Sequence, residues 1–224
     1  MALLSMKTKN DLILPSKNGS IQPIFLERFF YLPKRGYNHE EEPKINWTNL
    51  FEKDAPTLME ICSGNGQWIA ERALANPEIN WVAVEIDFVR ARKIWLKSFK
   101  QNLPNLFVVC GEAFAFLTHY VRNESVAEVF INFPDPWPKR RHAANRLIQK
   151  PFVESLKRVL KKDGFLTLTT DDAPYKNQMM EQCSPFFEFE SSELDFDEYG
   201  DSFFASLWKT KGKDLFYLKY RNLP

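Results

Sequence analysis

An aspartate and a tryptophan stand among three prolines in the segment 133–142, whose sequence is FPDPWPKRRH. Prolines at alternate positions stiffen a loop and remove three backbone donors, so the side chains between them are held in place. Asp135 beside Trp137 suits an unpaired base, because an indole can stack on the ring while a carboxylate accepts from its N–H groups. Guanine offers such donors at N1 and at its 2-amino group. We therefore predict that Asp135 contacts a guanine edge; the alternative is a rigid turn with a core tryptophan.

Basic residues follow this loop at once. From Trp137 to Lys162 the chain has nine lysines and arginines against one acid, although the whole protein carries a net charge of only +1. Such a stripe is typical of a surface that contacts a polyanion, while a solvated helix face is the simpler alternative. We expect the residues nearest the loop to contact phosphates: Lys139, Arg140, Arg141 and Arg146.

A second group of residues surrounds a glycine loop. Glu60 ends a predicted strand, Gly64 and Gly66 follow it, and Glu85 ends the next predicted strand. Glycines let a backbone approach a ligand closely, and an acid about 20 residues beyond such a loop is a common acceptor for a ribose diol. A carboxylate at Glu60 disfavours a pyrophosphate and favours a cation. The pattern therefore points to S-adenosylmethionine, which carries an amino group and a sulfonium, rather than NAD.

Two further acids follow predicted strands. Glu112 comes after the third strand, where it could accept from an adenine amino group or serve only as a helix N-terminal charge. Asp171 comes after the fifth strand; it could face the same crevice as Asp135, or either it or Thr170 could cap the next helix. The histidines have no metal-binding spacing and no hydrolase elbow is present, so we predict no metal site. These histidines are His39, His119 and His142.

Strands and helices alternate after Pro56. Short apolar runs predict five strands at residues 57–61, 80–85, 106–110, 128–133 and 164–170, and two more at 186–190 and 215–220. Helical spacing predicts helices at residues 66–75, 88–101, 113–122 and 147–162, the last ended by a turn at Asp163-Gly164. This alternation indicates an α/β fold with a mostly parallel sheet, helices on both faces and ligands beyond the carboxyl ends of the strands.

The 224 residues correspond to about one large domain, with 44% hydrophobic residues to build its core. We predict an irregular N-terminal arm over residues 1–56, with one short helix near 23–30, and a functional domain over 57–224. Three isolated cysteines favour a reducing cytoplasm, and no segment has the length of a membrane span. We expect a monomer or a homodimer with no membrane partner.

Read in order, these residues resemble the tRNA (guanine-N7-)-methyltransferase family, TrmB, over roughly residues 57–223. The resemblance implies a Rossmann-like class I fold and methyl transfer from S-adenosylmethionine to N7 of a guanine in the variable loop of tRNA (position 46). It also implies a catalytic Asp135 and a donor site lined by Glu60, Gly64, Gly66, Glu85, Glu112 and Asp135. The implied tRNA contacts are Lys139 and Asp171, to which the basic stripe adds Arg140 and Arg141, and Ser202 stands at the threonine of the family's C-terminal T-x-x-E element.

Some positions depart from the family pattern. Cys62 replaces a glycine, and Glu112 replaces a common aspartate. Ala143 and Ala144 reduce the number of basic residues after the histidine of the motif, and Ala205 stands where the C-terminal element has its glutamate. Two other functions stay open from the sequence. One is a methyltransferase that acts on a base amino group in RNA or DNA, and the other is an inactive module that binds S-adenosylmethionine and RNA.

Overall fold

The computed structural model describes residues 23–33, 38–40, 42–193, 207 and 210–223. It contains nine mostly parallel strands and six α-helices among these residues. In chain order they are β1 (Ile24–Leu26), β2 (Phe29–Tyr31), α1 (Trp47–Phe51), β3 (Thr57–Ile61), α2 (Gln67–Ala75), β4 (Asn80–Glu85), α3 (Phe88–Lys100), β5 (Leu106–Cys110), α4 (Ala113–Tyr120), β6 (Val126–Asn132), a 3₁₀ helix (Arg140–Asn145), α5 (Lys150–Val159), β7 (Leu160–Thr170), α6 (Ala173–Cys183), β8 (Glu188–Ser191) and β9 (Phe216–Arg221).

The chain divides into two compact units. The first lies within Met1–Thr57 and Ser63–Val121, and the second within Leu58–Cys62 and Arg122–Pro224. In the first unit the strands follow the order β1-β2-β5-β4, with β2, β5 and β4 parallel and β1 antiparallel to β2. The carboxyl ends of the three parallel strands therefore share one edge of this unit.

The predicted helix near residues 23–30 is wrong, since this segment forms β1 and β2. Phe29 and Phe30 are completely buried, and the ring of Phe30 lies 4.9 Å from that of Tyr120 on α4. Aromatic residues on successive positions bury both faces of a strand, whereas a helix would turn one of the two rings toward solvent. The domain boundary at residue 56 stays a prediction.

In the second unit the strands follow the order β3-β6-β7-β9-β8. The first three are parallel, while β9 is antiparallel to both β7 and β8. Strands β3 and β6 pair directly although three helices and two strands lie between them in the chain, which is the reversal of order where α/β proteins bind ligands. The strands predicted at residues 57–61, 80–85 and 106–110 are confirmed at those bounds, and the two late strands are confirmed with small shifts.

The helix predicted over residues 147–162 is too long. Helix α5 ends at Val159 and β7 begins at Leu160, so Asp163-Gly164 does not end a helix but forms an irregularity inside a strand. Asp163 has a φ of 59°, and the pairing of β7 with β6 shifts register here. The amide of Asn222, the residue just after β9, donates to the carbonyls of Leu160 and Lys161, both at 3.0 Å. A side chain from far along the chain therefore holds this segment.

No helix in the described ranges has the combined length and apolar character needed to cross a membrane.

Candidate active site

The glycine loop of the first unit has a backbone that few side chains tolerate. Gly64 and Gly66 have φ values of 57° and 66°, in the left-handed region. A Cβ on Gly66 would lie 2.5 Å from Cγ1 of Ile94 on α3, so a side chain there would be both strained and obstructed. The loop can therefore turn directly from β3 into α2, which begins at Gln67.

Glu85 organises this loop. Its side chain lies at the carboxyl end of β4 and is 4% exposed. Oε2 accepts from the backbone N–H of Gly64 at 2.8 Å, and Oε1 accepts from that of Asp87 at 2.9 Å. Burial raises the pKa of Glu85, while these two N–H groups oppose the shift. Because a carboxylate has about four acceptor positions, two bonds to the backbone leave room for hydroxyl donors.

A cavity of about 290 Å³ lies at the carboxyl ends of β2, β4 and β5. Its lining is Tyr31, Leu32, Ile86, Asp87, Phe88, Cys110 and Gly111. Ile86 is half exposed although it is apolar, so a flat ring could cover it favourably. Glu112 follows Gly111 at the start of α4, and its carboxylate makes no capping hydrogen bond to that helix. Glu112 occupies the N-cap position of α4, so its role as a helix N-terminal charge stays open beside the predicted contact with adenine.

In the second unit, three buried polar side chains connect the carboxyl ends of β3, β6 and β7. The amide of Asn132 donates to Oε1 of Glu60 at 2.7 Å, and the hydroxyl of Thr169 donates to Oδ1 of Asn132 at 3.3 Å. The backbone N–H of Phe133 donates to the carbonyl of Thr169 at 3.1 Å. Glu60 is 2% exposed, and this amide supplies one of the hydrogen bonds that a buried carboxylate requires. The network fixes the start of the proline loop.

The proline loop itself, residues 133–139, is strained and presents its acid outward. Phe133 and Trp137 have φ values of 48° and 42°, which bulky residues rarely adopt and which cluster at functional sites. Asp135 is exposed, and its Oδ1 accepts from the backbone N–H of Trp137 at 3.2 Å. The indole of Trp137 packs edge-on against His142, with 5.8 Å between the rings. The tryptophan is therefore only half buried and does not belong to the core.

The basic residues divide into exposed and engaged side chains. Lys139 and Arg141 are exposed beside the loop, whereas Arg158 donates to Asn123 at 2.7 Å. Arg146 points inward, which its charge alone did not indicate. For Arg140 only the backbone is described.

Asp171 forms an ion pair with Lys213, and its carboxylate is largely covered. The helix cap is not Thr170 or Asp171 but Asp172, whose Oδ1 accepts from the N–H of Tyr175 at 2.7 Å. A proline at the start of α6 and the acid just before it were the signals that would have identified this cap. Ser202 and Ala205 lie outside the described residues. Within the described part of the chain, no group of three or more His, Cys, Asp or Glu is arranged to hold a metal ion.

Comparison with known proteins defines the family. Residues 54–211 match the model of a methyltransferase family, Methyltransf_4. A tRNA (guanine-N(7)-)-methyltransferase of Chlamydia muridarum is 42% identical over 214 residues, which cover 94% of this chain and 96% of that protein. A protein of the same name from Lactobacillus delbrueckii is 36% identical over 67% of this chain and 70% of its own length. The chain belongs to the tRNA (guanine-N7-)-methyltransferase family.

This assignment confirms the resemblance carried by the FPDPWPKRRH segment. Solved structures confirm the fold, which is that of Rossmann-like class I methyltransferases. The 16S rRNA methyltransferase KamB aligns with a TM-score of 0.60 at 15% identity, covering 79% of this chain and 92% of KamB. A 16S rRNA (adenine(1408)-N(1))-methyltransferase from Catenulisporales acidiphilia, determined with S-adenosylmethionine, aligns with a TM-score of 0.55 at 14% identity, covering 85% of this chain and 93% of that one.

Proposed function

We propose that this protein transfers the methyl group of S-adenosylmethionine to N7 of a guanine in tRNA. The observation that carries the proposal is the placement of Asp135, an exposed carboxylate in a stiff loop that begins where a buried strand ends. Trp137 lies beside it with part of its indole accessible. The family supports the substrate class, because relatives at 32–42% identity carry this activity in their names.

The donor-binding residues fit a ligand without phosphates. When bound, S-adenosylmethionine supplies a methyl group on a positively charged sulfur. We propose that Glu85 accepts from its ribose hydroxyls, that Glu112 accepts from its adenine amino group, and that Glu60 attracts its amino group, with Gly64 and Gly66 giving it space. Two buried carboxylates would repel a pyrophosphate, which supports a cationic donor over a dinucleotide.

The reaction needs no general base. Guanine N7 has a lone pair and no proton, so the bond from N7 to carbon forms as the bond from carbon to sulfur breaks, and sulfur keeps the electron pair. Positive charge leaves the sulfur and appears on the purine. We propose that Asp135 accepts from the guanine edge and stabilises this charge, while the loop holds the base at near-attack distance.

We propose that tRNA phosphates contact Lys139, Arg140 and Arg141, since the two of these whose side chains are described are exposed next to the loop. Asp171 contributes through the acceptor positions that Lys213 leaves open, because a carboxylate has about four. Ser202 completes the proposed set. A tRNA substrate and isolated cysteines favour a cytoplasmic protein.

The test is a nucleoside analysis. The protein is incubated with methyl-labelled donor and bulk tRNA, and the RNA is digested to nucleosides. The expected product is 7-methylguanosine, and a transcript carrying 7-deazaguanosine should accept no methyl group because it lacks N7. Methylated adenosine or cytidine at the amino group would instead establish an amino-methyltransferase. Donor binding with no methylated nucleoside would establish a binding module.

A further inference from the structure

Arg146 lies in the basic stripe but turns away from solvent. Its side chain is 9% exposed, at the end of the 3₁₀ helix that follows the proline loop. Nε donates to the carbonyl of Pro136 at 2.7 Å, and Nη1 donates to Oε1 of Gln178 at 2.7 Å. The guanidinium carbon lies 4.9 Å from the centre of the Tyr175 ring. A buried cation with these partners has little capacity left for a phosphate.

The partners of Arg146 come from two places. Pro136 is the residue between Asp135 and Trp137, at the centre of the proline loop. Tyr175 and Gln178 lie on α6, and Asp172, which caps this helix, has its Oδ1 3.9 Å from Nη2 of Arg146. The guanidinium therefore connects the loop that presents Asp135 to the helix after β7.

Helix α6 is itself firmly attached, so this connection ends on a rigid element. The hydroxyl of Tyr175 accepts from the N–H of Ile148 at 3.1 Å, and the amide of Gln178 donates to the carbonyl of Ile148 at 3.1 Å. Tyr175 is completely buried, and burial raises the pKa of its hydroxyl. Both contacts fix α6 to the chain two residues beyond Arg146.

The loop has a specific need for such a partner. Pro134, Pro136 and Pro138 have no N–H to donate, so the loop cannot be held by its own backbone donors at these positions. The carbonyl of Pro136 can still accept, and a planar guanidinium with five donors can serve it, Gln178 and the face of Tyr175 together. A lysine at this position would offer one compact ammonium group, without the planar fork that reaches several partners at once.

We propose that Arg146 is a positioning residue, which holds the carbonyl of Pro136 and thereby fixes the carboxylate of Asp135 for the guanine. This inference rests on the proposed function and contradicts the expectation that Arg146 contacts phosphate. Since a displacement of about 1 Å can cost around a hundredfold in rate, loss of the guanidinium should lower kcat more than it weakens tRNA binding.

The test compares Arg146→Lys and Arg146→Ala with Arg141→Ala, whose exposed side chain makes it a matched control. For both Arg146 variants, kcat for 7-methylguanosine should fall roughly ten- to a hundredfold, while the KM for tRNA and the salt dependence of tRNA binding stay at wild-type values. Guanidinium at tens of millimolar should partly restore the kcat of Arg146→Ala. In Arg141→Ala the salt dependence should flatten instead. An unchanged kcat, or a flattened salt slope in Arg146→Ala that Arg146→Lys restores, overturns the proposal.

Two further measurements separate this role from a folding defect and from failure of the proposed function. Gln178→Ala removes one partner, so it should lower kcat less and add nothing to the effect of Arg146→Lys. Hydrogen exchange of amides in residues 133–146 should be faster in Arg146→Lys than in wild type, with the rest of the chain unchanged. A wild-type protein that forms no 7-methylguanosine would refute the proposed function alone, and unchanged exchange in the loop would refute the role of Arg146.

Discussion

The loop after β3 and the loop after β6 both follow buried parallel strands, but they are held in opposite ways. The first loop has backbone N–H groups to donate, and the carboxylate of Glu85 accepts a hydrogen bond from that of Gly64. The second loop lacks N–H groups at its prolines, and the cation of Arg146 holds it through a carbonyl. As a result, Glu85 is buried and its carboxylate already accepts two backbone hydrogen bonds, whereas Asp135 stays exposed. A buried carboxylate suits a donor molecule that stays in place, whereas an exposed carboxylate, which among the described residues accepts only from the N–H of Trp137, suits a base that arrives with its RNA.

Asp135 gives the largest effect expected from this contrast. In Asp135→Ala, kcat for 7-methylguanosine should fall about 10²–10³-fold, because one preorganised electrostatic partner of the transition state is lost. Affinity for S-adenosylmethionine, measured by calorimetry, should change far less. Thermal unfolding at the wild-type temperature verifies the fold. Near-normal turnover in this folded variant would remove Asp135 from the mechanism.

Glu85 should show the opposite pattern. In Glu85→Ala, donor affinity should weaken by roughly 1.5–3 kcal/mol, the scale of a hydrogen bond to a charged group. Affinity for tRNA should change little, since Glu85 is not among the residues proposed to contact tRNA. Calorimetric titration of both ligands measures this, and unchanged donor affinity would mean that β4 does not end at the ribose.

The pH dependence sharpens the same prediction. On the proposed assignment, ribose hydroxyls donate to the ionised form of Glu85, and burial raises the pKa of Glu85 in the free protein. Donor affinity should therefore be complete above that pKa and decline as the pH falls through it. The folded state binds more protons than the unfolded state in this window, so Glu85 lowers stability as pH rises. Glu85→Gln should lack both dependences.

The local pattern was enough to predict the acids at the strand ends, because a strand and its last residue are determined by nearby side chains. It was not enough for β1 and β2, which form by packing Phe29 and Phe30 against residues far along the chain. The start of β7 likewise depends on Asn222, 62 residues after Leu160. In the candidate site, the sequence predicted the charge of Arg146 but not the direction of its side chain. That direction depends on the contacts of Arg146 with Pro136 and α6.

The basic stripe should produce a smaller, sequence-independent effect. In Lys139→Ala/Arg141→Ala, the log–log salt slope of tRNA binding should flatten by roughly 1.5, because each phosphate contact contributes about 0.7–0.9. The loss should be similar for different tRNAs, since phosphate contacts carry no sequence information. The comparison variant is Lys211→Ala/Lys213→Ala, in a lysine-rich segment just before β9 that is here called the basic tail. Filter binding over a salt series measures the slope for both variants. A slope that changes only in the tail variant would mean that the basic tail, and not the basic stripe, contacts the tRNA.

Cys62 should give the smallest effect. A φ of 66° costs a non-glycine residue about 1–2 kcal/mol in the folded state. Glycine avoids this cost, but its larger unfolded-state entropy lowers stability by up to about 1 kcal/mol. Cys62→Gly should therefore stabilise the fold by up to about 1 kcal/mol in denaturant unfolding. Cys62→Ala keeps the strain and should give no gain, so equal gains in both variants would contradict this account.

The most direct measurement of the central claim uses a transcript with inosine in place of the target guanosine. Inosine keeps N7 and N1–H but lacks the 2-amino donor that Asp135 is proposed to accept from. For the wild-type protein, kcat/KM on the inosine transcript should fall roughly tenfold or more, the scale of one charged hydrogen bond. In Asp135→Ala the two transcripts should react at nearly equal rates. The same discrimination in both proteins would contradict the assignment of Asp135 to the guanine edge.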